Sequence, residues 1–381
     1  MSEIVYKGIT LEGEAVELSV RCSKIINRKK IDFDPDLPYL FPVLVDLQHN
    51  GALGTAYNNL REDSSEDLHK IAEHLIKNGV GRCLATFTTS PYDNLNKAAK
   101  ALNKILNEDS FLNKLFFGIF HEGVFISPKE GWRGGHAPEY ILEPDWEEFC
   151  KLQENSGDRV KMLNIAPEEK SAIEFIKKAS ETGVCIALGH CNPDTETIKA
   201  ATDAGASIVT HFGNGAAPAI HRFQNPFWGF LDNSKLALGL IGDGFHLPPE
   251  VVRVALKCKG LDKCFFVSDA NIYSGCKAGI YKRFGGLDCV IKENGFIHVV
   301  GQEILAGAWF QNNHSVEFLV NEVGIELNDA WKLCSTIPAR LIGIELPMLN
   351  VGEEASFVQA KFENQKLKLQ FTVLNGQKYS A

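Results

Sequence analysis

Five short segments of this 381-residue chain combine the imidazole, carboxylate and amide side chains that bind metals and move protons. Glu122, His190 and His211 would hold zinc or a similar ion and leave one coordination position open, as a catalytic site requires. A carboxylate such as Asp269 beside that position would take the proton of a metal-bound water. The segments are His121-Glu122-Gly123, Gly189-His190-Cys191-Asn192, His211-Phe212-Gly213-Asn214, Asp243-Gly244-Phe245-His246 and Asp269-Ala270-Asn271.

Each of these segments directly follows a run of residues typical of a β-strand. From Phe41 onward, such runs alternate with helix-period segments, which is the signature of parallel βαβ units. Eight strands with intervening helices predict a closed (β/α)8 TIM-type barrel, whose catalytic groups lie on the loops after the strands. A doubly wound open sheet is the alternative, but no GxGxxG follows the first strand. The eight runs are Pro42–Leu47, Arg82–Thr88, Leu115–Phe120, Val160–Ile165, Val184–Leu188, Ala206–Thr210, Leu236–Ile241 and Cys264–Ser268.

The two ends of the chain have a different pattern. Residues before about Pro38 alternate weakly between apolar and polar, and the tail Ser356–Tyr379 alternates again. Both ends therefore predict antiparallel strands of one small flanking β-sandwich domain. We place this domain at residues 1–38 and 346–381, with the barrel at 39–345.

Composition and charge restrict the partners of the protein. The formal net charge is -9 with a pI near 5.7, which disfavours nucleic acid and anionic membrane surfaces and favours a small-molecule substrate. The N-terminus MSEIVYKGIT lacks the features of a signal peptide, and no apolar run is long enough to span a bilayer. The ten cysteines form no CxxC pair. We expect a cytoplasmic protein with reduced cysteines.

Several short motifs follow one another in a specific order. This order resembles that of the N-acetylglucosamine-6-phosphate deacetylases, a family of the amidohydrolase superfamily. No single motif is decisive, whereas their order is specific and extends over the whole chain. The motifs are DLQHNG at 46–51, HEG at 121–123, APE at 166–168, GHCN at 189–192, THFGNGA at 210–216, DGFH at 243–246, SDA at 268–270, TIPARLIG at 336–343 and VLNG at 373–376.

The resemblance implies a reaction, a cofactor and roles for the site residues. The reaction is hydrolysis of an acetamide, with one divalent metal, zinc, as the cofactor. Glu122, His190 and His211 would be its ligands. Asp269 would first deprotonate water and then protonate the leaving amine, and His136 would donate to the developing oxyanion. From the residues alone, a plain loop role for His136 is nearly as plausible.

The first barrel strand differs from that of many amidohydrolases. Those enzymes place His-x-His there, on one face of the strand, to hold a second metal. The same face carries Gln48 and Asn50 here, while His49 points the other way. The resemblance then implies a single-metal site, with Gln48 as a substrate contact.

Substrate recognition by the resembling enzymes implies a phosphate site. Asn214, Gly215, Arg222 and His246 would contact that phosphate and the substrate. Arg is suited to planar phosphate capture, although a solvated loop charge is an equally good interpretation of Arg222. Arg222 would act within its own chain or across the interface of a homodimer.

Three departures from the family pattern leave other functions open. Segments 120–124 and 213–216 differ from the usual motifs, and 305–309 replaces a Ser-rich turn, with Trp309 suggesting a reshaped sugar pocket. One alternative is therefore an amidohydrolase for another N-acyl or cyclic amide substrate. A non-catalytic paralogue that binds metal and sugar is a second alternative, disfavoured because Asp269 is retained.

Overall fold

The computed structural model describes residues 3–282, 288–301 and 305–381. Within them the strands are β1 (Ile4–Thr10), β2 (Ala15–Arg21), β3 (Lys24–Lys30), β4 (Tyr39–Pro42), β5 (Leu44–His49), β6 (Gly51–Ala52), β7 (Thr55–Ala56), β8 (Val80–Phe87), β9 (Phe116–His121), β10 (Val160–Ile165), β11 (Cys185–Leu188), β12 (Ala206–Val209), β13 (Ala237–Ile241), β14 (Cys264–Val267), β15 (Gly279–Tyr281), β16 (Cys289–Ile291), β17 (Ile297–Val299), β18 (Phe357–Glu363), β19 (Lys366–Leu374) and β20 (Gln377–Ser380).

The α-helices pack outside the strands. They are α1 (Ser65–Lys77), α2 (Tyr92–Glu108), α3 (Ser110–Leu115), α4 (Trp146–Ser156), α5 (Ala172–Glu181), α6 (Thr195–Asp203), α7 (Pro226–Asp232), α8 (Pro249–Lys259), α9 (Asn312–Phe318), α10 (Leu327–Leu333) and α11 (Thr336–Leu341). None of the helices in the part of the chain that the structure describes is both long and apolar enough to cross a membrane.

The central sheet is a closed parallel barrel. Its strands follow one another in chain order as β5, β8, β9, β10, β11, β12, β13 and β14. The last strand returns to the first, because the Asp269 amide donates to the Gln48 carbonyl at 2.9 Å and the Asn50 amide donates to the Ala270 carbonyl at 3.1 Å. The predicted (β/α)8 fold is confirmed, and each barrel strand agrees with its prediction to within two residues at either end.

Apolar patterning explains why the elements form where they do. All eight residues of β8 are buried, as expected for a strand covered on both faces. Helix α1 buries Leu68, Ile71 and Leu75, which recur at helical spacing on its inner face. Helix α4 begins where the Asp145 carboxylate accepts from the Glu148 amide, and it ends at Gly157 in the left-handed conformation.

Both chain ends join in one flanking sheet of seven strands, ordered β20-β19-β18-β4-β1-β2-β3. Its pairs are antiparallel except β1 with β4. Strand β4 pairs within this sheet and also leads directly into the first barrel strand. The flanking β domain built from both ends is confirmed, while the division at residues 38/39 and 345/346 stays a prediction.

A small three-stranded antiparallel sheet, β15-β16-β17, lies between β14 and α9 and was not predicted. It has its own apolar core, which includes Cys289, Ile291 and Ile297. The segment that follows it returns to the barrel, where the Ala308 amide donates to the Asp269 carbonyl at 3.0 Å. This insertion therefore lies beside the end of the eighth barrel strand.

Candidate active site

Three predicted metal ligands converge at the carboxyl ends of the barrel strands. Glu122 Oε1 lies 3.1 Å from His211 Nε2 and 3.3 Å from His190 Nε2, and the two ring nitrogens are 3.0 Å apart. Donors that bind a tetrahedral ion at about 2.0–2.1 Å are about 3.3 Å apart, so these separations fit such an ion. Two imidazole nitrogens this close also require a proton or a cation between them. The Glu/His/His group is therefore able to bind a metal.

The backbone is strained at three of the predicted functional residues. His190, His211 and Asp269 have φ values of 51°, 30° and 48°, in the left-handed region that side chains other than glycine rarely adopt. Each of them lies just after a barrel strand, where the chain turns out of the sheet. Strain of this kind persists only where the surroundings over-determine the conformation, and it concentrates at functional sites.

The His190 ring is held by a hydrogen bond at one nitrogen and is closely approached by two glycines. Its Nδ1 donates to the Trp132 carbonyl at 3.1 Å, which leaves the Nε2 lone pair for a metal. A Cβ added at Gly215 would lie 2.6 Å from Nδ1, and one added at Gly134 would lie 3.0 Å from Cε1. The sequence does not reveal Trp132 as a contributor, because its backbone oxygen makes the contact.

The pKa values of the two acidic groups, Glu122 and Asp269, are shifted in opposite directions. Burial alone would raise the pKa of Glu122, but hydrogen bonds from His190 and His211 outweigh it and hold that pKa well below its ordinary value. The pKa of Asp269 is raised, chiefly by burial and then by the negative charge of Glu122. A carboxyl that is easier to protonate than usual suits a group that both accepts and returns a proton.

Two side-chain amides at the end of the first barrel strand, Gln48 and Asn50, donate hydrogen bonds to the carboxylates of the site. Gln48 Nε2 donates to Glu122 Oε1 at 2.9 Å and approaches Asp269 Oδ1 at 3.3 Å. Asn50 Nδ2 donates to the same oxygen of Asp269 at 2.8 Å. His49 is fully buried, and its Nδ1 lies 2.8 Å from the Tyr57 hydroxyl, away from the site. The face on which other amidohydrolases place histidines thus carries hydrogen-bond donors.

His136 reaches the same cluster from the loop after the third barrel strand. It brings a ring nitrogen within 4.8 Å of ligand atoms of Glu122 and His190, and its ring centre lies 4.4 Å from that of His190. Its Nδ1 lies 2.7 Å from the Thr89 hydroxyl. The shorter separations involving His211 make His211 the better third ligand, so His136 lies beside the three proposed ligands without being one of them.

Known proteins have sequences similar to that of this chain over most of its length. N-acetylglucosamine-6-phosphate deacetylase of Bacillus subtilis is 28% identical over 357 residues, covering 93% of this chain and 88% of that protein. The deacetylase of the same name from Haemophilus influenzae is 30% identical, covering 88% of this chain and 85% of its own length. The chain belongs to the N-acetylglucosamine-6-phosphate deacetylase family.

A solved N-acetylglucosamine-6-phosphate deacetylase from Pasteurella multocida superposes with a TM-score of 0.85 at 27% identity, covering 99% of this chain and all of that chain. No family model matches the sequence. As a member of the deacetylase family, the chain is a metal-dependent amidohydrolase, and its reaction is hydrolytic deacetylation. The resemblance inferred from motif order is thus confirmed.

In this deacetylase, His246 is held by Asp243, a residue of the same segment to which the sequence assigns no role of its own. Asp243 Oδ2 lies 2.7 Å from His246 Nδ1, and Asp243 Oδ1 accepts from the His246 amide at 2.9 Å. Both side chains are only 5% exposed. The spacing of three residues in DGFH is the signal that would have revealed the pair. His246 is close enough for its charge to lower the pKa of Asp269.

Three of the predicted phosphate contacts, Asn214, Gly215 and Arg222, lie on the loop after the sixth barrel strand. Asn214 and Gly215 line a small cavity with His190, and Asn214 Nδ2 is buried with no hydrogen-bond partner among the described residues. Arg222 is exposed, and its guanidinium lies 5.8 Å from the centre of the Phe223 ring. In the described part of the chain, no hydrogen bond or ion pair joins that guanidinium to the other candidates.

Trp309, proposed from the sequence to reshape the sugar pocket, packs on the inserted sheet. Its indole nitrogen donates to the Cys276 carbonyl at 2.9 Å, and its ring packs against the apolar core of the inserted sheet. Trp309 therefore stabilises the insertion beside Asp269.

Proposed function

We propose that this deacetylase hydrolyses N-acetylglucosamine 6-phosphate to glucosamine 6-phosphate and acetate, using one divalent metal, zinc. The observation that supports this proposal most directly is the convergence of Glu122, His190 and His211 around one point, with Asp269 beside them. The three donors are separated by 3.0–3.3 Å. Nitrogen and oxygen donors of this kind suit zinc.

The metal, when bound, would polarise the amide carbonyl and make water more acidic. Asp269 would take a proton from the attacking water and then donate it to the leaving amine. Asn50 and Gln48, at 2.8 and 3.3 Å, orient the Asp269 carboxylate for both transfers. Asp269 is thereby the proton carrier of the proposed reaction.

His136 would stabilise the oxygen of the acetamide as its negative charge develops. If the Thr89 hydroxyl donates to Nδ1 across their 2.7 Å separation, the other ring nitrogen carries a hydrogen and can donate. A preorganised donor in such a site contributes a substantial part of the rate enhancement. Gln48, whose amide already faces the carboxylates, would contact the substrate beside it.

The substrate phosphate would be held by Asn214, Gly215, Arg222 and His246. Burial of the His246 side chain against Asp243 favours a precisely placed contact. Arg222 would complete the site across the interface of a homodimer, because its loop is exposed. This assignment is the basis for expecting a phosphorylated substrate.

Release of acetate, together with metal content, tests the proposal. Metal-free protein should be inactive, and one equivalent of zinc per chain should restore acetate release from N-acetylglucosamine 6-phosphate. A His190→Ala, His211→Ala double variant should retain neither metal nor activity. Two bound equivalents, or metal retained by the double variant, would contradict the single site. Activity only on another acylated or cyclic amide would favour the first alternative, and metal binding without turnover would favour the non-catalytic paralogue.

A further inference from the structure

The fourth barrel strand contributes no predicted ligand, yet it carries a fully buried amide. Asn164 occupies the penultimate position of β10 and is 0% exposed. Its neighbours in the run Met162-Leu163-Asn164-Ile165 are apolar. A buried amide is unfavourable unless it is hydrogen-bonded, so its contacts indicate why an amide is present here.

The Asn164 amide makes three hydrogen bonds to three different chain segments. Its Nδ2 donates to the Glu122 carbonyl at 3.0 Å and to the Gly189 carbonyl at 3.2 Å. Its Oδ1 accepts from the Thr210 hydroxyl at 2.7 Å. The first segment contains Glu122 itself, and the other two residues immediately precede His190 and His211 in the sequence. One side chain is therefore hydrogen-bonded, through two backbone carbonyls and one side-chain hydroxyl, to the three segments that carry the proposed ligands.

The surroundings of this amide leave little room for another arrangement. A Cβ added at Gly189 would lie 2.7 Å from Asn164 Oδ1 and 2.6 Å from Thr210 Cβ. The glycine therefore permits close approach of the Asn164 and Thr210 side chains. An aspartate at position 164 would have the same shape, but when ionised it would direct an oxygen at two carbonyl oxygens.

We propose that Asn164 is a positioning residue that fixes the three segments carrying the metal ligands relative to one another. The proposal rests on the metal site proposed above. The left-handed backbone at His190 and His211 requires such over-determination, because these turns would otherwise relax away from the metal-binding geometry. Residues that orient ligands without touching the metal typically change metal affinity by roughly 10- to 100-fold when replaced.

Metal affinity, measured apart from activity, tests this role. Metal-free wild type, Asn164→Asp, Asn164→Ala and Thr210→Val would be titrated with Zn²⁺ in competition with a chromophoric chelator. Asn164→Asp and Asn164→Ala should bind roughly 10- to 100-fold more weakly than wild type, and Thr210→Val should be weakened less. With Co²⁺ as a probe, the visible spectrum of the Asn164 variants should also change, because the ligand geometry is altered.

Asn312 provides a matched control. It is also 0% exposed, and its Nδ2 donates at 3.0 Å to the carbonyls of Val45 and Phe266, which lie on barrel strands that carry none of the three ligands. Asn312→Ala should lower the melting temperature but leave zinc affinity within about twofold of wild type.

Three results would overturn the proposal for Asn164. Unchanged affinity and cobalt spectrum in both Asn164 variants would do so, as would an equal loss of affinity in Asn312→Ala, which would indicate general destabilisation. If the Asn164 variants do not fold, unchanged affinity and spectrum in Thr210→Val would also reject it. Absence of zinc binding by wild type would instead refute the proposed metal site itself.

Discussion

The side chain of Asp269 has a raised pKa and is held by two hydrogen bonds. Burial and the charge of Glu122 raise the pKa of its carboxyl, while amide donors from Gln48 and Asn50 hold one of its oxygens. The hydrogen bonds therefore fix the orientation of the carboxyl, while its raised pKa allows it to gain and lose a proton. This combination suits a proton carrier better than a metal ligand, for which a low pKa is preferable.

Replacing Asp269 by Asn should lower kcat by at least about a hundredfold, because a carboxamide of the same shape cannot accept and return a proton. Zinc content and melting temperature should remain close to those of wild type. Steady-state kinetics of acetate release, with metal analysis of the same samples, would measure both. Near-normal turnover would assign the proton transfer to another group, with His246 the next candidate.

A second buried carboxyl, Asp46, gives the molecule a pH-dependent stability. Burial raises its pKa to about 7, although hydrogen bonds from Ser268 and the Gln48 amide oppose the shift. In the unfolded chain the same carboxyl loses its proton near pH 4. Between these values the folded state binds more protons, so the free energy of unfolding falls as the pH rises, and this loss is complete above about pH 7.

Asp46→Asn should remove this dependence. The Asn carbonyl oxygen can still accept from the Ser268 and Gln48 amides, and its NH2 group can donate to the Ser268 hydroxyl. In metal-free protein, the variant should melt above wild type at about pH 8, and the difference should shrink toward about pH 5. Thermal melts across this range would show it. A difference independent of pH would mean that Asp46 is ionised in the folded protein throughout.

At the scale of elements, the barrel could be predicted because its strands are continuous apolar runs separated by amphipathic helices. The residues proposed as ligands could be selected because a TIM barrel places functional groups after its strands. Asn164 was missed because it lies inside a strand. Asp243 does follow a strand, but it was given no role because it acts through His246. The strands of the inserted sheet are three residues each, which is too short for a recognisable alternation.

The loops after the third and sixth barrel strands jointly position His190, and a glycine substitution tests this. Gly215→Ala adds a methyl group where a Cβ would lie 2.6 Å from His190 Nδ1. We expect weaker zinc retention on dialysis, because the ring or the loop must shift. Gly183→Ala is the matched control, since Gly183 also has a positive φ, of 86°, but has no atom within 4 Å of its added Cβ.

Both alanines carry the same backbone cost, about 1–2 kcal/mol for a left-handed residue, so both melting temperatures should fall, and that of Gly215→Ala should fall further because its methyl group also contacts His190. Only Gly215→Ala should also lose zinc. Full zinc retention in Gly215→Ala would show that the loop moves aside without disturbing the ligand.

At the scale of the whole molecule, the loop around Arg222 is unusually apolar for a solvent-exposed surface. Phe223, Trp228 and Ile220 are 74%, 56% and 39% exposed. The Trp228 indole donates to the Arg222 carbonyl at 2.8 Å and fixes the turn that presents Arg222. Exposed apolar residues grouped in this way commonly form protein interfaces. They support the proposed homodimer, in which Arg222 of each chain would serve the site of the other.

Arg222→Ala should lower kcat/KM for N-acetylglucosamine 6-phosphate by about ten- to a hundredfold, as expected for one lost charge-assisted hydrogen bond of about 1.5–3 kcal/mol. The value for unphosphorylated N-acetylglucosamine should change little.

A second experiment tests whether Arg222 acts within its own chain or across the dimer interface. The Arg222→Ala variant is mixed with the Asp269→Asn variant, and the dimers are dissociated and allowed to reassociate. A hybrid dimer contains one site that combines an intact Asp269 with the partner's intact Arg222. Activity well above the average of the two separate variants therefore supports action across the interface, whereas activity equal to that average places the contact within one chain.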